Sequence, residues 1–190
     1  MSNPVEDIRK KSDFDEKDCF FLDTNVWLYI YYGIYSEQDR YFKKWYTDAF
    51  EKMLLCNCKI FVDFLVLSEF VNRFARLEYD RKMPPIKREP NRNNYKIFRK
   101  SGDGQNTARE IVININKILN KSELCDLDYN FIKPKLSAQL KEYEKFDSDF
   151  NDLIYVELCK EKKFTFVTHD GDFSNHDIHV LTANNAMLSR

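Results

Sequence analysis

The 190 residues predict an α/β fold, a three-layer α/β/α sandwich around a central, mainly parallel sheet with a helical and loop insertion. Three observations lead there. Short continuous apolar runs alternate with segments of helical period, as in βα units. Two of those runs end on an acid, which is where open parallel sheets carry their sites. A hydrophobic share of 43% is enough for one core and too little for two domains of typical length.

Residues 1–18 form a polar leader, and 19–190 form the domain, with a basic and helical insertion at about 79–145. Cys19-Phe20-Phe21-Leu22 is a buried strand closed by Asp23. From about Gln38 to Cys56, Tyr41, Trp45, Ala49 and Met53 recur every fourth position beside Phe42, Tyr46 and Phe50, which predicts an amphipathic helix. Lys59-Ile60-Phe61-Val62 is the next strand. Ser68 then caps a helix with Glu69 in its first turn, where the helix dipole favours an acid. The segment from Arg81 to Lys100 carries eight basic residues against one acid, contains three prolines and shows no period, so it is expected to be a loop. Ile111, Ile115, Ile118 and Leu119 predict a helix, Glu123 to Leu127 a short strand, and Leu136, Leu140 and Tyr143 a helix after Pro134. Asp149 to Lys162 is helical, Phe164 to Thr168 is a strand, and His179 to Ala183 is a final strand.

Lys plus Arg (30) and Asp plus Glu (31) nearly cancel, so any attraction for nucleic acid must come from local patches. Five cysteines with no CxxC pair suggest neither a disulfide framework nor a zinc ribbon. Reduced thiols, the charged N-terminus and the lack of a long apolar run lead us to expect a cytoplasmic protein without a membrane partner.

The acids carry the chemistry. Asp23 and Asp170 each follow a predicted strand, and Asp152 opens the helix before the second of these, with Asp149 on nearly the same helical face. If the sheet is parallel, these acids and Glu69 meet at one edge. Carboxylates so gathered repel and take up protons unless a hard cation, Mg2+ or Mn2+, neutralises them.

Asp23-Thr24-Asn25, then Ser68-Glu69, then Asp149-Phe150-Asn151-Asp152, then the run from Val167 to Phe173 resembles, in order and spacing, the PIN domain. That nuclease family includes the VapC toxins of toxin–antitoxin pairs. The resemblance spans about Cys19 to Ala183. It implies that Asp23, Glu69, Asp152 and Asp170 are catalytic and bind one or two metal ions, with Asp149 and Asp172 as further ligands. Asn25 and Thr168 would be supporting residues. It also implies divalent-metal-dependent endoribonuclease activity that leaves 5′-phosphate and 3′-hydroxyl ends, with RNA as substrate, an antitoxin as a candidate partner, and a homodimer as a candidate assembly. The sequence departs from the family pattern at His169, where Asn or Asp is common; this tunes the site without disabling it.

Other features have two uses each. Arg81, Lys82, Lys87, Arg88 and Arg92 either bind substrate phosphates or form a solvated face. Tyr29, Tyr31, Tyr32 and Tyr35 either stack on bases or pack internally, and packing is the favoured use. Two rival functions are an inactive RNA-binding scaffold and a haloacid-dehalogenase-type phosphatase. The latter needs a second acid two positions after Asp23, where this chain has Asn25.

Overall fold

The computed structural model describes residues 5–32, 37–87, 89–90, 93–126, 133–144 and 149–189. Six parallel strands, β1 (Val5–Asp7), β2 (Cys19–Leu22), β3 (Lys59–Val62), β4 (Glu123–Leu124), β5 (Thr165–Val167) and β6 (Val180–Thr182), lie in the order β1-β6-β5-β2-β3-β4. Eight α-helices are present among the described residues: α1 (Thr24–Tyr31), α2 (Glu37–Leu55), α3 (Phe64–Lys82), α4 (Asn94–Lys100), α5 (Gly102–Leu119), α6 (Leu136–Tyr143), α7 (Phe150–Lys162) and α8 (Asn185–Leu188). The three-layer parallel α/β sandwich expected from the sequence is the fold observed.

The central strands β5 and β2 are buried on both faces, which is why they read as unbroken apolar runs. Phe21 and Phe166 are register partners and stack 5.8 Å apart. Tyr155 of α7 meets both rings, at 5.7 and 6.3 Å, so α7 covers that face. Trp27 of α1 is fully buried and sets its ring edge-on to Phe50 of α2 at 5.4 Å. Neither the apolar Val26 to Ile30 segment nor its capping acid suggested a helix from sequence. In α2 the buried stripe is Tyr46, Ala49, Phe50 and Met53, whereas Tyr41 is 61% exposed.

Four expectations need correction. The polar leader contributes the edge strand β1, which pairs with β6 from Val5↔Val180 to Asp7↔Thr182. The helix carrying Glu69 is capped by Asp63, not Ser68: Asp63 Oδ1 accepts the Val66 N–H at 2.7 Å, so Glu69 lies a turn deeper. The basic segment is largely helical in its described part, because α3 runs on to Lys82 and Asn93 caps α4 by accepting the Lys96 N–H at 3.0 Å. The fourth strand is only Glu123–Leu124, and Leu127 lies outside the described residues.

α4 and α5 share Ser101, which ends one helix and caps the other. Gly104 lets them approach: a Cβ there would stand 2.1 Å from the Phe98 carbonyl oxygen. The obstacle is backbone, so it cannot yield by a rotamer change. Gly104→Ala should therefore cost about 2 kcal/mol or more of stability, measured as a lower urea midpoint.

Candidate active site

Asp23 ends β2 and caps α1, which places a charged side chain at the carboxyl edge of the sheet with only 6% of its surface exposed. Its two oxygens take three hydrogen bonds, from the adjacent backbone, a neighbouring amide and a residue just past a distant strand. Its Oδ1 accepts the Thr24 N–H at 2.6 Å; its Oδ2 accepts the Thr168 hydroxyl at 2.6 Å and the Asn25 amide at 2.5 Å. Thr168, fully buried just past β5, also accepts the Asp170 N–H at 3.0 Å and the Asn25 amide at 3.2 Å. Thr24 extends the network the other way, donating its hydroxyl to Glu69 Oε2 at 3.1 Å. Asp23, Glu69 and the Asp170 backbone are thus joined through Thr24, Asn25 and Thr168, although the residues are up to 147 positions apart in order (23 to 170).

Asp152 approaches from α7, where it occupies the first turn and accepts the Asp149 N–H at 3.2 Å. Its half-burial, together with the charges of Asp23, Asp170 and Asp149, lifts its carboxyl to about 7. Asp23 is lifted to about 7 chiefly by burial. The hydrogen bond from Thr168 opposes this, and the charges of Glu69 and Asp170 add to it. These couplings link Asp23 with Glu69 and Asp170, and Asp152 with Asp23, Asp170 and Asp149. Asp172 is exposed at its rim, donates its N–H to Asp170 Oδ1 at 3.1 Å, and is raised by slight burial and by Asp170 and Asp149.

Among the described residues, no three acid, histidine or cysteine side chains stand in a metal-coordinating arrangement. Asp23, Asp152 and Asp170 accept hydrogen bonds from protein donors, and Glu69, besides its Thr24 bond, is paired with Arg73 at 3.2 Å. The donor set itself is all oxygen and strongly anionic, the chemistry that suits a hard divalent cation.

The other predicted residues fall in several places. Arg81 and Lys82 are committed to Glu78, a buried acid that accepts two bonds from Arg81 at 2.9 and 2.7 Å and contacts Lys82 at 3.0 Å. Lys87 is exposed in a 3-10 turn, and Arg88 and Arg92 lie outside the described residues. Tyr32 is buried with its hydroxyl on Glu78 at 2.9 Å. Tyr29 stacks on Tyr46 at 5.7 Å and Tyr31 on Trp27 at 6.0 Å, so these rings pack internally; Tyr35 lies outside the described residues.

His169, the departure from the family pattern, is built into an aromatic cluster. Its ring is 4.1 Å from that of Phe42, and its Nδ1 lies 2.9 Å from the Tyr46 hydroxyl. Its N–H donates to Asn25 Oδ1 at 3.1 Å. Burial lowers its pKa, against the opposing charge of Asp170.

Two further residues belong to this edge. Thr24 carries the link to Glu69. Asp63 follows β3 as Asp23 follows β2, is fully buried, and is raised to about 6 by burial. Its Oδ2 has no hydrogen-bond partner among the described residues. The signal was present in Phe61-Val62-Asp63, an apolar strand closed by an acid.

A model of the PIN domain matches residues 20–178. No curated protein matches the chain. The matched span holds Asp23, Glu69, Asp149, Asp152, Asp170 and Asp172, and no helix among the described residues is long and apolar enough to cross a membrane. With four fifths of its length matched and a fully parallel sheet ending in acids, the chain belongs to the PIN-domain family, whose members are generally nucleases.

Proposed function

We propose that this protein is a divalent-metal-dependent endoribonuclease that hydrolyses phosphodiester bonds of RNA, leaving 5′-phosphate and 3′-hydroxyl ends. The observation that supports it most is the hydrogen-bonded tie of Asp23 to Thr168 on one side and, through Thr24, to Glu69 on the other. That tie spans the sheet edge on which the other acids act electrostatically.

In this reading Asp23, Glu69, Asp152 and Asp170 hold Mg2+ or Mn2+, with Asp149 and Asp172 at the rim. The cation, when bound, supplies Lewis-acid activation of water and neutralises charge on the phosphoryl oxygens. Thr168 and Asn25 fix the Asp23 carboxylate so that little rearrangement is needed on substrate binding. Arg73, already beside Glu69, brings a positive charge to the rim for the incoming backbone. Lys87 and the neighbouring basic residues would add attraction farther out.

The test is incubation of the protein with 5′-labelled single-stranded RNA and Mg2+ or Mn2+. Internal cleavage that stops with EDTA is expected. Binding without cleavage in either ion would favour the scaffold, and release of phosphate from a small phosphomonoester would favour the phosphatase. A role as a toxin would further require that an antitoxin abolish the same cleavage.

A further inference from the structure

We propose that the cleft formed by Tyr41, Phe42, Trp45, His169, Asn184 and Asn185 takes one unpaired nucleobase of the strand being cut. The inference rests on the nuclease reading for the identity of that strand.

The cleft has a volume of about 240 Å³. That is below the roughly 300–1,000 Å³ of sites that enclose a drug-sized ligand, and it suits a single ring system. Its walls are aromatic: Tyr41 and Trp45, one helical turn apart, lie 5.9 Å from each other, and Phe42 lies 5.9 Å from Trp45 and 4.1 Å from His169. Core packing does not account for Tyr41, which is 61% exposed while Tyr46 on the same helix is buried. An exposed aromatic ring such as that of Tyr41 is what sequence-tolerant single-strand binders use for stacking.

The cleft is rigid. His169 is fixed through its N–H to Asn25, through its carbonyl by the Asn184 amide at 2.8 Å, and through its ring by Tyr46. Asn184 also accepts the Ala186 N–H at 2.9 Å, so it serves as wall. Asn185 is exposed at the start of α8, and its amide offers a donor and an acceptor to a base edge. Arg9, held by two side-chain bonds to Asp7, lies over the Trp45 ring, 5.0 Å from its centre.

Continuity with the acids selects a nucleic-acid base as the occupant. Thr168, His169 and Asp170 are consecutive, so the wall of the cleft and the acidic edge are one residue, about 3.8 Å of backbone, apart. In this inference a strand with a phosphate at the acids sets a neighbouring base in the cleft. A paired base cannot enter, so the cleft selects single strands.

The experiment uses the full chain and its own fluorescence. Of two tryptophans, Trp27 is fully buried and Trp45 is not. Titration with a single-stranded oligoribonucleotide in EDTA at low salt should quench Trp45, whereas a duplex of the same sequence should not. Tyr41→Ala, at an exposed position, should keep the fold and weaken binding on the order of tenfold. An oligonucleotide abasic at one position should lose as much with the native protein and nothing further with the variant. With cation present, Tyr41→Ala should raise KM and spare kcat. Absence of quenching, equal quenching by the duplex, or undiminished binding by Tyr41→Ala would overturn the inference. Quenching that depends on Tyr41 without any cleavage would leave it standing and sink the nuclease reading. Cleavage with no position sensitive to base removal would sink this inference alone.

Discussion

Asp23→Asn is expected to lower RNA hydrolysis by at least about 10³-fold while leaving the protein folded. Asp23 is the acid through which the others are joined. Its two oxygens take three hydrogen bonds, from Thr24, Thr168 and Asn25, and its charge acts on Asp152. An amide of the same shape can still accept the Thr24 N–H, although its NH2 faces the Asn25 amide and a Thr168 oxygen that already accepts from Asp170 and Asn25. What is lost is the negative charge, which no neighbour can replace. Single-turnover cleavage with saturating RNA and cation measures the effect, and circular dichroism checks the fold. Activity within tenfold of native would remove Asp23 from the centre of the site.

The second large effect is a dependence of stability on pH and cation. Asp23 titrates near 7 in the folded chain, against 3.8 for an ordinary Asp. The folded state therefore binds a proton that the unfolded state has already released between about pH 4 and 7. A raised folded pKa makes the contribution full below the unfolded pKa and lost as pH rises through the folded one. For Asp23 this amounts to a loss on the order of 4 kcal/mol. Asp152 is also lifted to about 7 and adds a smaller share, because it is partly open to solvent. Without divalent ions, thermal stability should fall from pH 4.5 to 7.5 and level off above. The same series on Asp23→Asn should be flatter, which separates this group from the rest of the chain. Mg2+ or Mn2+ should restore stability more at pH 8 than at pH 5, because binding must displace fewer protons there. Native and variant curves of equal slope would contradict the assignment.

The strand-end acids were legible because their signal is local. A continuous apolar run closed by an acid marks Asp23 and Asp170, and the helical period after Asp149 marks Asp152 at a first turn. Glu69 was found by resemblance but set one turn too early, since Ser68 is a common cap type while the real cap, Asp63, precedes the apolar run Phe64-Leu65-Val66-Leu67. That run has no polar break to announce a helix start. α1 was hidden for a similar reason, as Val26 to Ile30 is apolar on every face. The edge strand β1 depends on pairing with β6, some 175 residues away (5 to 180), and nothing local in a three-residue polar segment reveals it. The network through Thr24, Asn25 and Thr168 depends on folding too, because its partners come from different strands and helices. The aromatic cleft needed the structure to separate Tyr41 and Trp45 from the buried stripe that shares their helix.

The most direct test of the acidic centre is calorimetric titration of the metal-free protein with Mn2+ at pH 6.5, in two buffers of different ionisation heat. Binding with release of protons is predicted, the release fading at pH 8.5 and the binding lost in Asp23→Asn. Absence of binding at millimolar Mn2+, or binding that Asp23→Asn leaves unchanged, would contradict the account.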